Sequence, residues 1–223
     1  MKVTKIKHSG FLVELEKKVL IFDWFQGALP DFDRGKPVYV FVSHSHGDHY
    51  SPVIWNLRQI CKDVFYILYE ETDKEREVQL RVVPHQTYFR KDMEIRTLLS
   101  TDEGVAFWIR TEGKVLFHAG DLNIWYWEED PQIENDWQVA TYQKEILSLR
   151  KERIDLAFLP LDPRLGQHGP DGILFFLDHV AVDQVITMHD WERYEEVEQY
   201  LETTRLRDYR DKIDVRRDFT GNL

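Results

Sequence analysis

A buried strand followed at once by a histidine-rich loop constrains this sequence more than any other feature. Val38–Val42 is a run of β-branched and aromatic residues, which predicts a buried strand. The loop after it, residues 43–49, reads Ser-His-Ser-His-Gly-Asp-His. Ser51 and Pro52 then have the pattern of a helix N-cap followed by proline at the first helical position. The loop therefore lies between a strand and a helix, where α/β sheets collect their ligands.

The same loop carries the donor atoms of a metal site. His44 and His46 are two residues apart, so in extended backbone their side chains project to the same side. Gly47 permits a sharp turn, after which Asp48 and His49 can reach the same space. The alternative is a polar surface loop that happens to be rich in histidine. The specificity of the pattern favours a site for a divalent metal.

Composition indicates a folded acidic protein. The chain has 223 residues and 43% hydrophobic residues, enough for one large domain with a well-buried core. A net charge of −11 disfavours nucleic acid as a partner, because binding to phosphate backbones requires basic surfaces. The single cysteine, Cys61, excludes an internal disulfide and fits a reducing compartment. Without an apolar leader or a membrane-length apolar run, we expect a cytoplasmic protein with no membrane contact.

Hydrophobic periodicity predicts a β-rich first half and alternating helices and strands in the second half. We expect strands at residues 2–7, 11–16, 18–23, 38–42, 64–69, 80–83, 93–99, 104–110, 114–117, 154–161 and 182–188. We expect helices at residues 52–62, 136–153, 170–178 and 192–206. Glu112 and Gly113 form a plausible hairpin turn. No linker or repeat divides the chain, so we expect a single α/β domain over residues 1–223.

Three further polar residues follow predicted strands: Asp121, Asp162 and His189. A lone aspartate or histidine at the end of a strand is usually a cap or a loop residue. A metal site in the same chain needs partners, however, and these strands can all end at one edge. We therefore treat the three residues as candidates for the site.

Taken together, these residues carry a resemblance to a known superfamily. His-x-His-x-Asp-His after a strand, then Gly120-Asp121, then the isolated His189, resembles the metallo-β-lactamase superfamily across the whole chain. Residues 8–11, 117–123 and 187–189 are similar to one branch, the L-ascorbate-6-phosphate-lactonase-like hydrolases. The resemblance implies a four-layer αβ/βα sandwich with a metal centre at one edge of two facing sheets.

The resemblance also implies two unequal metal sites. The first takes His44 and His46, the second takes Asp48, His49 and His189, and Asp121 bridges the two. Asp121 and Asp48 are then the expected catalytic carboxylates. The superfamily pattern expects one more histidine for the first site between about residues 85 and 105, and this chain has none at the matching position. Asp102, water or, less favoured, His85 is left to complete it.

A second group of residues is expected around the site rather than on the metal. Asp23 matches a strand-end aspartate that supports the ligands from behind. His8 and His118 are candidates for the pocket wall or for supporting roles, and a structural role for His8 is an equal alternative. Asp162 and Arg164 suggest a contact to a substrate anion, whereas a turn capped by their salt bridge is the alternative.

We expect from this a metal-dependent hydrolase whose metal-activated hydroxide attacks a small ester, lactone or phosphoester. The expected cofactor is one or two divalent ions per chain, Zn²⁺ first, with Mn²⁺ and Fe²⁺ as alternatives. A nuclease or phosphodiesterase is one alternative, and the acidic charge speaks against it. A metal-binding protein without turnover is another, which the missing histidine leaves open. A homodimer is the base-rate expectation for the assembly.

Overall fold

The computed structural model describes residues 1–216 and 219–223, and its strands form two sheets of seven strands each. The strands of the first sheet, in spatial order, are β14 (Thr220–Asn222), β1 (Lys2–Lys7), β2 (Gly10–Glu14), β3 (Val19–Phe22), β4 (Val38–Val42), β5 (Val64–Tyr69) and β6 (Leu80–Val82). Pairing is antiparallel from β14 to β3 and parallel from β3 to β6.

The second sheet has the same mixture of pairings. Its strands, in spatial order, are β13 (Ile213–Asp214), β12 (Ala181–Met188), β11 (Arg153–Pro160), β10 (Lys114–His118), β9 (Val105–Thr111), β8 (Met93–Leu99) and β7 (Thr87–Arg90). Pairing is parallel from β13 to β10 and antiparallel from β10 to β7. In both sheets the parallel strands carry their carboxyl ends to one edge.

Helices connect the strands on the outer sides of the sheets. The α-helices are α1 (Leu57–Ile60), α2 (Gln132–Ser148), α3 (Asp171–His179) and α4 (Tyr194–Thr203), and the 3-10 segments are Pro52–Asn56, Pro163–His168 and Arg205–Lys212. The hydroxyl of Ser51 accepts a hydrogen bond from the backbone of Val53, so the expected N-cap is present. None of the helices in the described part of the chain has the length and apolarity needed to cross a membrane.

The main core lies between the sheets and consists largely of aromatic side chains. Phe11 of the first sheet stacks on Phe158 of the second with ring centroids 4.1 Å apart, and Phe41 meets Phe107 edge-on at 5.2 Å. Each fully buried side chain of this kind contributes roughly 1.5–3 kcal/mol. The two sheets are therefore held face to face by apolar packing.

Apolar side chains also cover the outer faces of the sheets. On the first sheet, Ile54 and Leu57 pack with Cys61 in a separate buried cluster. On the second, Ile146 of α2 and Phe176 of α3 belong to the main cluster. The order of layers is helix, sheet, sheet, helix, which confirms the predicted αβ/βα sandwich.

Several predicted elements needed correction. Residues 52–62 form a 3-10 segment followed by a single helical turn, not one helix. The helix expected at residues 136–153 begins earlier, at Gln132. It ends earlier too, at Ser148, because the next strand, β11, already begins at Arg153. Residues 192–206 form α4 and part of a further 3-10 segment. Strand β7 was missed because it is a mostly exposed edge strand without apolar alternation.

Two glycines let the histidine-rich loop sit directly against the second sheet. Gly104 has φ +77°, and a Cβ atom there would lie 2.0 Å from the carbonyl oxygen of Ser43. Gly120 has φ +53°, and its Cβ would lie 2.8 Å from that of Ser43. The same Ser43 carbonyl accepts a hydrogen bond of 3.1 Å from the backbone of Val105. The loop and the edge of the second sheet are therefore in backbone contact at this point.

Gly104→Ala should lower the free energy of unfolding by about 2–4 kcal/mol, because it adds both left-handed strain and a backbone clash. Gly113→Ala is the matched control, since Gly113 has φ +71° and open space around its Cβ position. In this control the free energy of unfolding should fall by only about 1–2 kcal/mol, because alanine adds left-handed strain there without a clash. Urea unfolding of both variants measures the difference, and equal losses would contradict the close approach.

Candidate metal centre

The predicted site residues gather at the edge where the strands of both sheets end. His8 follows β1, Asp23 follows β3, and the loop of residues 43–49 follows β4. From the second sheet, Asp121 lies just beyond β10 and His189 directly follows β12. The polar ends of five strands thus meet in one place, as the fold expectation requires.

Seven side chains form two clusters in which the potential ligand atoms lie within 4.8 Å of one another. One cluster contains His44, His46 and Asp121, and the other contains His8, Asp48, His49 and His189. Six of these residues were expected as ligands from the sequence, with His44 and His46 in one group, Asp48, His49 and His189 in the other, and Asp121 shared between them. The seventh, His8, was expected only at the pocket wall or in support.

Asp121 lies between the two clusters. Its Oδ2 is 3.3 Å from Nε2 of His44, and its Oδ1 is 3.0 Å from Nε2 of His49 and 3.5 Å from Nε2 of His189. Its carboxylate is almost completely buried. One carboxylate therefore faces histidines from both groups.

His8 belongs to the second cluster and lies beside Asp48 and His189. Its Nε2 lies 3.4 Å from Oδ2 of Asp48, and its ring centroid is 4.2 Å from that of His189. A register shift between Lys5 and Lys7 of β1 precedes it, and Lys5 forms a buried ion pair with Asp190. The irregular end of β1 is thus fixed to the turn that carries His189.

Four polar atoms in this centre are buried and have no hydrogen-bond partner among the described residues. They are Nε2 of His8, His49 and His189, and Oδ1 of Asp121. An unpaired buried polar atom costs about 1–3 kcal/mol, so a native structure seldom leaves several together. Because all four are nitrogen or oxygen donors that face one another, a divalent cation fits the space between them.

Two buried carboxylates hold the histidines of the second cluster from behind. Asp23 accepts hydrogen bonds from Nδ1 of His49 at 2.8 Å and from the backbone and hydroxyl of Ser43 at 2.8 and 2.7 Å. Asp162 accepts one from Nδ1 of His189 at 2.8 Å. In each histidine Nδ1 is therefore engaged by a carboxylate, and Nε2 is directed toward the cluster. Asp23 thus lies behind His49, where a supporting residue was expected, and Asp162 lies in the equivalent position behind His189.

Arg164 holds Asp162 instead of standing free in the pocket. Its guanidinium donates to both carboxylate oxygens of Asp162 at 2.6–3.0 Å. Burial raises the pKa of Asp162, but the hydrogen bonds from His189 and Arg164 outweigh it and lower the pKa to about 2. The salt bridge that we treated as the alternative is present, and it supports His189.

His118 lies behind the centre and offers no atom to either cluster. Its Nδ1 accepts from the backbone of Gly120 at 3.1 Å, so its Nε2 carries the proton and donates to the carbonyl of Ser9 at 2.9 Å. The ring stacks on Phe22 with centroids 5.0 Å apart. This placement agrees with the expected position behind the ligands. It does not agree with the other expected position, in the pocket wall.

Three residues of the centre adopt left-handed backbone conformations that only glycine accepts readily. His8 has φ +51°, Asp23 has φ +41° and His189 has φ +65°. Each such residue costs about 1–3 kcal/mol and persists only where the surroundings require it. All three come directly after a strand, so the strain turns their side chains into the centre. The sequence carries no signal for this.

Opposite charges are packed closely in the second cluster. Burial would lower the pKa of His49, but the charge of the nearby Asp121 carboxylate and the hydrogen bond to Asp23 hold it well above its usual value, and a metal ion that binds Nε2 would displace the proton there. Burial would raise the pKa of Asp121, but the neighbouring His49 and His189 keep it well below. Burial lowers the pKa of His8, so this imidazole is neutral at pH 7 and its lone pair is available. The centre therefore favours a positive charge at its middle.

The first cluster is more open than the second. His46 is 46% exposed at its side chain, and its Nδ1 lies 3.6 Å from Oδ2 of Asp102. Its Nε2 lies 3.1 Å from Oε2 of Glu103, a neighbour that the sequence analysis did not identify. Asp102 thus stays near the cluster without being part of it. His85 instead contacts Glu145 at 2.9 Å, so it is not a candidate.

A cavity of about 330 Å³ opens above the centre. His46, Asp48, Asp102, Asp121 and His189 reach it from the two clusters and their surroundings. The remaining wall consists of Trp125, Trp127, Asp130, Gln138, Arg164 and Trp191. A space of this size accommodates a small molecule.

Comparison with known sequences finds relatives that are described as metal-dependent hydrolases. The chain is 29% identical over 205 residues to a UPF0173 metal-dependent hydrolase of Korarchaeum cryptofilum, with 85% of this chain and 82% of the relative covered. It is 27% identical over 198 residues to another from Alkaliphilus metalliredigens, with 78% of each covered. No family model matches the chain.

Comparison with solved structures finds the same architecture at low identity. Igni18, a metallo hydrolase of Ignicoccus hospitalis, has a TM-score of 0.69 at 16% identity and covers 100% of this chain and 98% of its own. CmlA of Streptomyces venezuelae, a diiron β-hydroxylase, has a TM-score of 0.69 at 11% identity, with 54% of its chain matched. The metallo-β-lactamase fold protein YhfI of Bacillus subtilis has a TM-score of 0.59 at 12% identity, with 99% of both chains covered. With two facing sheets and these likenesses, the chain has the metallo-β-lactamase fold.

Proposed function

We propose that the chain is a metal-dependent hydrolase of a small ester, lactone or phosphoester. The observation that carries this is the convergence of four unpaired buried donor atoms, from His8, His49, His189 and Asp121, below a cavity. Buried polar atoms in native structures almost always have a partner, and a bound cation would supply one for all four. The hydrolase description of the two sequence relatives supports the same reaction class.

The two clusters supply the proposed ligand sets. His44 and His46 would hold the first ion, His8, Asp48, His49 and His189 would hold the second, and Asp121 would serve both, since its carboxylate faces histidines of both clusters. The second set is buried except for Asp48, whereas His46 of the first is exposed. We therefore expect the second ion to bind more tightly than the first.

The donor set limits the identity of the metal. Imidazole nitrogens and carboxylate oxygens suit Zn²⁺, Mn²⁺ and Fe²⁺, and the one cysteine, Cys61, lies in the helix-side core away from the clusters. The similarity to a diiron protein is a reason to test iron beside zinc. Zinc remains the first choice because metal sites with several histidine ligands bind it readily.

The surrounding residues prepare the centre for hydrolysis. When bound, divalent ions at such a site polarise a carbonyl or phosphoryl oxygen and lower the pKa of water to about 7. Asp23 and Asp162 orient the rings of His49 and His189, so that both Nε2 atoms face Asp121. The indole nitrogen of Trp125 donates to the carbonyl of Asp121 at 2.8 Å and fixes the backbone beside the bridging carboxylate.

Removing and restoring the metal tests the proposal. Protein treated with chelator should lose hydrolysis of a panel of esters, lactones and phosphodiesters, and Zn²⁺, Mn²⁺ or Fe²⁺ should restore it. Hydrolysis that persists in metal-free protein would contradict the proposal. So would a fully loaded protein that turns over no compound in the panel, because it would then bind metal without hydrolysis.

Asp102→Ala tests whether Asp102 completes the first site. If Asp102 is a ligand, the variant should hold less of the first ion and keep the second, since only His46 among the ligands lies near its carboxylate. Metal content per chain and calorimetric titration of metal-free protein separate the two sites. Glu103→Ala is the control for a neighbouring acid, and an unchanged first site in Asp102→Ala would exclude Asp102 as a ligand.

A further inference from the structure

Helix α2 has apolar residues on two opposite faces. Tyr142 and Ile146 lie on the buried face, which packs on the second sheet. On the other face, side chains recur at a spacing of four, three, four and three residues: Ile133, Trp137, Ala140, Lys144 and Leu147. With about 3.6 residues per turn, this spacing gives one stripe along the helix, on the side opposite Tyr142. We call these five residues the α2 stripe.

The α2 stripe is a concentration of exposed apolar surface. Ile133 is 78% exposed and Trp137 is 52% exposed. With Leu147 they make up three of the seven large apolar side chains that the described part of the chain exposes. Single exposed apolar residues are common, but a row of them along one helix face indicates a contact surface. Lys144 fits such a row, because its aliphatic stem packs on apolar neighbours while its ammonium stays in water.

The charges around the α2 stripe have opposite signs at its two ends. Exposed acids lie at the N-terminal end of the helix: Glu129, Asp130, Glu134 and Asp136. Exposed bases lie on its C-terminal half and just beyond it: Lys144, Arg150 and Lys151. None of these seven residues forms an ion pair within the described part of the chain. A surface with this polarity is complementary to a second copy of itself that is turned end to end.

We infer that two copies of this chain associate through the α2 stripe, with the two helices antiparallel about a two-fold axis near Ala140. Ile133 then lies beside Leu147 of the partner subunit, and Asp136 lies near the partner subunit's Lys144. A parallel arrangement would instead bring the two acidic ends together. The small side chain of Ala140 lets the helices approach closely where they cross. Because the contact uses the same surface on both copies, it closes into a dimer.

The stripe and the charges carry different parts of this inference. A helix dipole by itself favours acids at the N-terminus and bases at the C-terminus, so the stripe indicates the contact and the charges fix its direction. A helix of 17 residues is about 25 Å long, and one face of it gives a contact at the lower end of the range for specific interfaces. We therefore expect a reversible dimer with a Kd in the micromolar range. No residue of the two metal-ligand clusters lies on α2, so the inference does not depend on the proposed function.

Sedimentation equilibrium of the full chain tests the inference over about 1–200 μM protein, a range that spans the expected Kd. A salt concentration of about 0.15 M screens the repulsion between copies that each have a net charge of −11. We expect an equilibrium between monomer and dimer. Trp137→Glu should weaken the dimer at least about thirtyfold, because it replaces a central aromatic side chain with a charge.

Two matched variants show whether the effect belongs to α2. Ile60→Glu changes an exposed apolar residue on α1, in the other helix layer, and should leave the Kd unchanged. Phe89→Glu changes the exposed edge strand β7, which is the main rival contact surface, and should also leave the Kd unchanged. Far-UV circular dichroism and thermal unfolding check the folding of all variants. A chain that stays monomeric at every concentration, or a dimer that Phe89→Glu disrupts and Trp137→Glu does not, would overturn the inference.

An exchange of charges tests the antiparallel direction without removing apolar surface. Asp136→Lys and Lys144→Asp should each weaken the dimer at least about fivefold, because the two-fold symmetry breaks the surface pair twice. The double variant restores the pair in the opposite sense, so its Kd should return to within about twofold of the original value. A double variant as weak as the single ones would contradict the antiparallel arrangement, even if Trp137→Glu weakens the dimer.

Discussion

His189→Ala should remove the second metal ion while leaving the first cluster intact. His189 supplies one of the unpaired Nε2 atoms, 3.5 Å from Asp121 and 4.0 Å from Asp48, and no neighbouring described residue can replace it. Since even residues outside the coordination shell change metal affinity 10–100-fold, loss of a ligand should weaken the second site by more than about a hundredfold. His49→Ala should have the same effect on metal content. Metal analysis after desalting measures both.

The two variants differ in their effect on the fold. His49→Ala leaves the buried carboxylates of Asp23 and Asp121 without their shared partner, which destabilises a protein by about 3–5 kcal/mol. In His189→Ala, Asp162 keeps Arg164 as its partner. His189→Ala is therefore the cleaner test, and near-UV circular dichroism checks its folding. His179→Ala, an exposed histidine, is the control. Unchanged metal content in both variants would disprove the ligand assignment.

His8→Ala should weaken the second site at least about tenfold, although the sequence placed this residue only at the pocket wall or in support. Its Nε2 is buried, unpaired and 3.4 Å from Asp48, so an ion held by Asp48 would lie within its reach. The affinity is measured by competition with a coloured chelator on metal-free protein. The visible spectrum of the Co²⁺-loaded protein gives a second readout, because loss of a nitrogen ligand changes the coordination.

A different role for His8 would give a different result. If His8 contacts substrate, the variant should keep its metal affinity and its Co²⁺ spectrum and show only a higher KM. If it only orients Asp48, the affinity should fall with little change in the spectrum, and His8→Gln should restore part of it. Only a joint loss of affinity and a changed spectrum supports His8 as a ligand.

Local sequence predicted the elements that carry the strongest patterns. Val38–Val42 and Val64–Tyr69 have the predicted bounds, because each is a continuous apolar run buried in a sheet. The hairpin at Glu112 and Gly113 also has the expected two-residue turn, with φ +50° and +71°. The edge strand Thr87–Arg90 was missed because it is largely solvent-exposed and its residues need not alternate.

The site residues also divide into those that a sequence pattern identifies and those whose position depends on contacts between distant parts of the chain. His44 to His49 could be identified because they share one loop, and Asp121 and His189 because the resemblance supplies their order. The place of His8 within ligand distance depends on a strand irregularity and a buried ion pair with partners 185 residues apart, which no local pattern encodes. The place of Glu103 beside His46 likewise depends on how two sheets meet.

The two clusters differ in burial and support, and this difference predicts unequal affinity for metal. The second cluster takes side chains from three distant parts of the chain, is supported by Asp23 and Asp162, and is largely buried. The first relies on two histidines of one loop and on Asp121, and His46 is half-exposed. The first ion should therefore exchange more readily, on the side that faces the cavity.

Metal stoichiometry per chain tests this account most directly. Protein purified without chelator is analysed for metal, stripped, and then titrated with Zn²⁺ while binding is followed by calorimetry. The account predicts two ions per chain that bind in separate steps, with the tighter step lost in His189→Ala. A chain that binds less than one ion at saturation, or whose tighter step survives in His189→Ala, would contradict it.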